Sequence, residues 1–232
     1  MIDFHSHILP KIDDGSKSSD MSVEMLKQSF QQGITHIVAT PHFYLKSNKV
    51  ETFLECRYGS YKAVENKTKN VLVPEIILGA EVYYFYGMSE FQDLNKLCIQ
   101  NTNYLLLEMP FERWNDRIFN DIENIYIKRN IIPVIAHLER YINYQKGTNY
   151  INRIVNMGYP IQVNAEYFNN FFTKGKAIKM YQSGIIKLLG SDCHNLDLRP
   201  PNLGQACDII RKKLGNTALE NITDFSKKIL NI

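Results

Sequence analysis

The first fifteen residues, Met1 to Gly15, read MIDFHSHILPKIDDG and decide the fold. The apolar run Ile2 to Phe4 predicts a strand, and His5 and His7 come directly after it. Side chains two residues apart in an extended segment point to the same face, so both imidazoles can bind one metal ion. Two ligands do not complete a metal site, so the rest of the chain has to bring more ligands to this strand end.

Short apolar runs alternate with helix-like stretches, a pattern typical of a parallel sheet or barrel. There are seven runs: Ile2 to Phe4, Ile34 to Ala39, Glu75 to Ala80, Tyr104 to Met109, Ile131 to Ala136, Pro160 to Asn164 and Ile186 to Gly190. At about 33 residues per unit, they approach the spacing of a TIM barrel. We predict an α/β fold, a distorted TIM-like (β/α)7 barrel, as a single domain over residues 1–232. The alternative, an open doubly wound sheet, usually has a Gly-rich turn after its first strand, and none occurs here.

Three helices are predicted between and after these runs. The first covers Asp20 to Gln32, because Ser18 offers an N-cap before residues at helical spacing. An amphipathic helix is expected over Trp114 to Arg129. Near the end of the chain, Thr217 and Glu220 predict a capping box for a last helix.

The composition excludes several classes of protein. An apolar fraction of 44% and a charged fraction of 22% are ordinary globular values. No apolar run reaches ~18 residues and no cleavable leader is visible, so we expect a cytoplasmic protein without membrane insertion. Four scattered cysteines predict reduced thiols, and a net charge of +3 without a basic cluster does not favour nucleic acid.

Residues of the metal-binding types gather where the predicted strands end. They are His5 and His7 with Asp13 and Asp14 beyond them, His42, Glu81, Glu108, His137, and Asp192 with His194, while the sixth run offers only the weak ligand Asn164. A lone histidine at a strand end is more often structural, but five of the six histidines fall at these ends. The sixth, His36, lies inside the second run, where a core or supporting role is expected.

Imidazoles and carboxylates without thiolates suit Mn²⁺, Fe²⁺ or Zn²⁺. These residues exceed what one ion needs, so two or three ions are predicted, with Glu81 as a bridge. Such a centre attracts phosphate and can generate hydroxide near neutral pH.

Six segments of this sequence resemble one protein family. They are HSHILPKIDDG from His5, ATPH ending at His42, GAEVY around Glu81, LEM around Glu108, AHLERY from Ala136 and SDCH from Ser191. They are similar to the polymerase and histidinol phosphatase (PHP) superfamily. More narrowly, they resemble its manganese-dependent bacterial protein-tyrosine phosphatases, which are encoded beside capsule and exopolysaccharide genes.

The resemblance implies a centre of three divalent ions, Mn²⁺ first and Fe or Zn as alternatives. Its ligand sets would be His5, His7, Glu81 and Asp192; Glu81, Glu108 and His137; and Asp14, His42 and His194. Arg140 and Arg199 match the family's phosphate-binding arginines, although an ordinary surface ion pair is the alternative for each. Guanidinium geometry suits bidentate contact with phosphate.

The function implied is hydrolysis of phosphotyrosine by attack of a metal-bound hydroxide, on the phosphotyrosine tail of a capsule-regulating bacterial tyrosine kinase. Alternatives are a small-molecule phosphomonoesterase such as a histidinol phosphatase, a phosphodiesterase or nuclease, and a non-catalytic, metal-stabilised regulatory module.

The sequence also offers an alternative mechanism, covalent catalysis by Cys193. Cys193 to Arg199 has the Cys-x5-Arg spacing of cysteine-dependent tyrosine phosphatases. The loop lacks their glycines and is followed by Pro200, which disfavours it.

Overall fold

The computed structural model describes residues 1–232 as one α/β fold with nine strands and eight helices. The strands are β1 (Ile2–Ser6), β2 (His36–Ala39), β3 (His42–Phe43), β4 (Glu75–Leu78), β5 (Glu81–Tyr83), β6 (Tyr104–Glu108), β7 (Ile132–Ile135), β8 (Gln162–Asn164) and β9 (Leu188–Gly190). The helices are α1 (Ser19–Gln31), α2 (Val50–Thr68), α3 (Asp116–Arg129), α4 (Tyr150–Asn156), α5 (Ala165–Asn169), α6 (Lys174–Gln182), α7 (Leu203–Leu214) and α8 (Asn216–Leu230). Each of the seven predicted runs contains a strand.

Every pair of neighbouring strands is parallel. The ladders run β1-β2-β4, β3-β5-β6-β7 and β8-β9. Two single bridges join them: Ile135 pairs with Ile161 beside β8, and Ser6 pairs with Cys193 just after β9. The predicted distorted TIM-like barrel is thereby confirmed, whereas the domain boundaries 1–232 stay a prediction.

Two of the predicted strands are each followed by a short second strand that the sequence-based boundaries missed. β2 ends at Ala39, and β3 begins at His42 beyond Pro41, which has no N–H for a ladder. β4 ends at Leu78, and β5 begins at Glu81 beyond Gly79. The two short strands pair with each other, with His42 opposite Glu81. This pairing puts two candidate ligands side by side.

All three predicted helices are present, and only the capping box predicted for the last one is wrong. Ser18 caps α1, its hydroxyl accepting the Met21 N–H at 3.1 Å. The helix predicted over Trp114 to Arg129 is α3. The capping box is wrong, because α8 follows Gly215 without a side-chain cap, and Thr217 and Glu220 lie inside its first two turns.

Apolar side chains fill the barrel beneath the strand ends. The layer comprises Ile2, Phe4, Val38, Ile99, Leu106, Val134, Ala136 and Leu188, with Ile229 and Leu230 of α8 packed against it. Burial of one large aliphatic side chain contributes roughly 1.5–3 kcal/mol. This layer is therefore a stable floor under the carboxyl ends of the strands. None of the helices combines the length and apolar composition needed to cross a bilayer.

Candidate metal centre

His5 and His7, where β1 ends, aim their Nε2 atoms at each other across 3.1 Å. A neutral imidazole nitrogen either donates or accepts, so two facing acceptors are best satisfied by a shared cation. Glu81 Oε2 lies 3.2 Å from His5 Nε2 and 3.3 Å from His7 Nε2. Asp192 Oδ1 lies 3.5 and 3.4 Å from the same two atoms. These four side chains surround one point, as the first predicted ligand set requires.

Glu81 also reaches a second group through its other oxygen. Its Oε1 is 2.8 Å from His137 Nε2, and Glu108 Oε1 is 3.6 Å from the same nitrogen. Glu81 Oε2 and Glu108 Oε2 are buried without a hydrogen-bond partner. Because a buried carboxylate oxygen is costly unless it is paired, these atoms fit a cation between them. Glu81 thus has the position of a bridge.

The third group includes Asp14, which returns to the cluster although it lies seven residues beyond His7. Its Oδ1 is 3.5 Å from His42 Nε2 and 3.4 Å from His194 Nε2, while the side chain stays 64% exposed. His42 also faces the second group, with Nδ1 2.9 Å from Glu81 Oε2. All nine predicted ligands therefore meet in one cluster, and their assignment to particular ions stays a proposal.

Asp13, a residue of the first strand end that belongs to none of the three predicted ligand sets, orients His7. Its Oδ2 is 2.7 Å from His7 Nδ1 and accepts the His42 backbone N–H at 3.0 Å. An acceptor at Nδ1 leaves Nε2 free to face a metal. Burial alone would raise the pKa of Asp13, but the bond to His7 lowers it to about 2. The adjacent Gly15 allows this loop to close, since a Cβ there would lie 2.3 Å from His7 O.

Strand β8 contributes hydrogen bonds to the ligands. Gln162 Oε1 accepts the His137 backbone N–H at 2.8 Å and lies 3.2 Å from His5 Nδ1. Gln162 Nε2 donates to Asn164 Oδ1 at 2.9 Å, and Asn164 Nδ2 donates to Asp192 Oδ2 at 2.8 Å. Asn164, predicted as a weak ligand, therefore supports a ligand. Polar residues two positions apart inside an apolar run were the available signal.

The two predicted arginines border the open side of the cluster. Arg140 Nη1 lies 3.6 Å from Asp192 Oδ2, and its guanidinium carbon is 5.0 Å from the Phe111 ring centre. Arg199 Nη2 lies 2.5 Å from Asp192 Oδ2, and Nη1 lies 2.9 Å from His194 Nε2. A guanidinium only donates, so His194 Nε2 carries a lone pair, which accepts from Arg199, and no proton. The arginines remain 43% and 39% exposed, within reach of an anion outside.

A family model described as "Capsular polysaccharide synthesis, CpsB/CapC" matches residues 1–231. The chain belongs to the CpsB/CapC family.

Named relatives of this CpsB/CapC chain agree with the predicted resemblance. The tyrosine-protein phosphatase CpsB of Streptococcus pneumoniae is 32% identical, with 99% of this chain and 98% of the relative covered. The tyrosine-protein phosphatase YwqE of Bacillus subtilis is 29% identical, over 99% of this chain and 91% of the relative. A crystal structure from work on these two proteins, described as metal-dependent tyrosine phosphatases, superposes with a TM-score of 0.85 at 28% identity, covering 100% of this chain and 94% of that one.

A more distant neighbour shares the fold alone. It is a putative histidinol phosphatase from Listeria monocytogenes, with a TM-score of 0.51 and 12% identity, covering 84% of this chain and 95% of that chain.

The pKa values of the clustered ligands in the CpsB/CapC chain shift in opposite directions from their usual values. Burial alone would lower the pKa of His5, but Glu81 and Asp192 outweigh it and raise the pKa. Burial lowers the pKa of His194 to about 4 and raises that of Glu108 to about 7. Because ligands must lose their protons to bind a metal, ions entering this cluster displace protons.

Backbone strain marks the same place. His137 and Asp192 have φ values of 31° and 53°, in the left-handed region that residues other than glycine rarely adopt. Each such residue costs about 1–3 kcal/mol, and such strain concentrates at functional sites.

The cysteine-dependent alternative does not fit the geometry. Cys193 is fully buried, and burial raises the pKa of its thiol to about 12. Asn195 Oδ1 accepts the backbone N–H groups of Asp197, Leu198 and Arg199 at 3.0, 2.7 and 3.0 Å. The donors that would surround a phosphate in a Cys-x5-Arg loop are therefore engaged.

His36 lies away from the cluster. It begins β2, and its ring is 24% exposed, with Nε2 3.6 Å from Glu75 Oε2. The expected core or supporting role is wrong, because the strand starts at this residue and its side chain reaches solvent at the opposite end of β2 from the metal cluster.

Proposed function

We propose that this CpsB/CapC-family chain is a metal-dependent protein-tyrosine phosphatase, a phosphoric monoester hydrolase. One observation carries the proposal: nine imidazole and carboxylate ligands converge at the strand ends, with Arg140 and Arg199 at the open side. The named relatives support the same activity.

The donor set fits divalent ions. The ligands in the proposal are His5, His7, Asp14, His42, Glu81, Glu108, His137, Asp192 and His194. Three ions suit three groups of ligands, and Mn²⁺ is proposed ahead of Fe or Zn because four of the nine ligands are carboxylates. When bound, such ions polarise a phosphate ester and lower the pKa of water toward ≈ 7.

The arginines hold the phosphate in this proposal. Asp192 accepts from Arg199 and lies near Arg140, so one carboxylate keeps both guanidinium groups at the same edge. Planar guanidinium groups match two phosphate oxygens at once. They would neutralise the charge on phosphate oxygens as the ester bond breaks.

Aromatic side chains around the cluster favour a phenyl ester over an aliphatic one. Tyr44 stands 5.3 Å from the His42 ring and 5.6 Å from Tyr83, between ring centres. Across the site, Phe111 stacks on His137 at 5.9 Å. Aromatic pairs add about 0.5–1.5 kcal/mol beyond burial. A phenol, with pKa ≈ 10, also leaves with less proton donation than a serine hydroxyl.

The proposal also names a substrate and a cellular location. The substrate would be the phosphotyrosine tail of a capsule-regulating bacterial tyrosine kinase, which the family's link to capsular polysaccharide synthesis supports. A cytoplasmic location would place the enzyme beside such a kinase. A histidinol-phosphatase-like activity on a small monoester is the second candidate, since a protein described in that way shares the fold.

The test is a chelation experiment on the purified protein. Removing metal should abolish hydrolysis of phosphotyrosine peptides, and added Mn²⁺ should restore it, with Fe²⁺ and Zn²⁺ compared at equal concentration. Cys193→Ser should keep most of the activity. A chelated protein that stays active, or a Cys193→Ser protein that is inactive with its metal content unchanged, would overturn the proposal. Rates on histidinol phosphate decide between the two candidates.

A further inference from the structure

An open cavity extends the candidate active site to one side. It has a volume of about 580 Å³, within the usual range of ligand sites. Arg140, Asp192 and Arg199 line it at one end. Its other walls come from α5 with Thr173 beyond it, and from the segment Leu198 to Gln205. The proposed phosphate site therefore opens directly into a groove larger than a phosphate needs.

The groove has a polar floor that suits a peptide backbone. Amide side chains line it, namely Asn164, Asn170, Asn202 and Gln205. Each amide group offers both donors and acceptors, as the N–H and C=O groups of a peptide require. The floor also carries the Glu166 carboxylate, whose Oε2 lies 3.5 Å from Asn202 Nδ2.

The rim of the groove is apolar and very exposed. Leu198, Phe172 and Phe171 are 90%, 85% and 81% exposed, the highest values among the large hydrophobic residues of the chain. Leu198 lines the groove, and the two phenylalanines stand between Asn170 and Thr173, which also line it. Exposed apolar residues grouped beside a cleft mark binding surfaces.

We propose that this groove binds the peptide segment next to the phosphotyrosine, and that Phe171, Phe172 and Leu198 select an apolar or aromatic side chain there. The inference rests on the proposed phosphatase function and adds a substrate preference to it. The phosphate lies at the arginines, the peptide backbone follows the amide floor, and a neighbouring apolar side chain packs on the rim. A lipid surface is the competing occupant of exposed phenylalanines, but it would not need a groove that leads to the arginines.

Three probes and two variants test this proposal in the metal-loaded protein. The probes are a short peptide with phenylalanine on both sides of phosphotyrosine, its counterpart with serine at those positions, and para-nitrophenyl phosphate. The variants are the double substitution Phe171→Ser, Phe172→Ser and the control Leu72→Ser. Leu72 is 77% exposed and does not line the groove. Leu72→Ser therefore removes exposed apolar surface away from the groove.

The expected result is a wild-type kcat/KM about tenfold higher for the phenylalanine peptide than for the serine peptide, corresponding to about 1.4 kcal/mol. The double variant should lose this ratio and Leu72→Ser should keep it, with para-nitrophenyl phosphate as the internal reference. Equal wild-type rates on the two peptides, or a ratio that survives in the double variant, would overturn the inference. Binding of anionic phospholipid vesicles that the double variant loses, with the peptide ratio intact, would overturn it in favour of a membrane surface.

The three probes separate an error about the peptide preference of the groove from an error about the phosphatase activity. A metal-loaded wild-type protein that cleaves none of the three probes contradicts the proposed phosphatase activity. A protein that cleaves para-nitrophenyl phosphate and both peptides without preference contradicts the groove alone.

Discussion

Gln162 Oε1 lies 3.2 Å from His5 Nδ1, although the two residues are 157 positions apart in the chain. Because an amide oxygen only accepts, the network assigns a proton to His5 Nδ1, so Nε2, which faces Glu81 and Asp192, is the nitrogen that would bind a metal ion. The same oxygen accepts the backbone N–H of His137 at 2.8 Å. One side chain without a ligand role therefore aligns two candidate ligands.

Replacing this side chain should weaken metal binding. Gln162→Leu removes the acceptor for His5, and losing such a partner typically costs about 10–100-fold in metal affinity. Gln162→Glu keeps an acceptor oxygen and should recover part of the loss. Competition with a metal-chelating dye measures both affinities without relying on enzyme activity.

The matched control is Gln145→Leu. Gln145 is also buried and also bonds the backbone, accepting from Trp114 N at 3.1 Å and donating to Glu112 O at 2.7 Å. It makes no hydrogen bond to a candidate ligand, so this variant should lose stability and keep the wild-type metal affinity. Equal losses of affinity in Gln162→Leu and Gln145→Leu would show a general structural effect.

Gly190 lies beneath the site at a position that has no room for a Cβ atom. A Cβ at this residue would lie 2.5 Å from the His5 Cβ and 2.8 Å from Gln162 Nε2. Gly190→Ala should therefore lower the free energy of unfolding by about 1–3 kcal/mol and also reduce metal affinity. Gly59→Ala is the control, because nothing lies within 4 Å of its added Cβ in α2. It should raise the free energy of unfolding by about 0.5–1 kcal/mol. Urea unfolding of the metal-free proteins measures both changes.

Metal binding should release protons near neutral pH. Burial alone would lower the pKa of His7, but its bonds to Asp13, Asp192 and Glu81 raise the pKa well above the usual value. His5 shifts in the same direction, so both rings are protonated in the metal-free protein below their raised pKa values. As pH falls, protons compete better for these nitrogens and metal affinity decreases. Calorimetric titrations with Mn²⁺ in two buffers of different ionisation enthalpy should show net proton release, and identical heats would contradict it.

Features that depend on local sequence were predictable, and features that depend on contacts between distant residues were not. Apolar runs and the residues that follow them are local, so the seven strands and the ligands at their ends could be predicted. The short strands β3 and β5, which pair His42 with Glu81, depend on how neighbouring strands align, and a chain position alone does not give that register. The role of Gln162 needs a contact across the barrel, and its residue type offered no metal-binding signal.

The roles of the cysteines can be separated by alkylation. Cys56 is exposed, whereas burial raises the pKa of Cys98, Cys193 and Cys207 to about 12. Iodoacetamide at mildly alkaline pH should modify Cys56 in the native protein and all four cysteines after unfolding. Mass spectrometry of digested protein identifies the sites. Rapid modification of native Cys193 with loss of activity would support the cysteine mechanism instead.

Asp13 and Asp14 are neighbours in sequence, yet the structure gives them different tasks that metal analysis can separate. Asp14 Oδ1 faces His42 and His194 directly, so Asp14→Ala should leave the third group short of a ligand and lower the metal content at saturating Mn²⁺. Asp13 contacts the cluster only through His7 Nδ1 and the His42 backbone, so Asp13→Ala should weaken affinity about 10–100-fold while saturating metal restores the full content. Elemental analysis across a range of Mn²⁺ concentrations separates the two effects. An Asp14→Ala protein that retains the wild-type metal content would remove Asp14 from the ligand set, and would leave His42 to the group formed with Glu81 and Glu108.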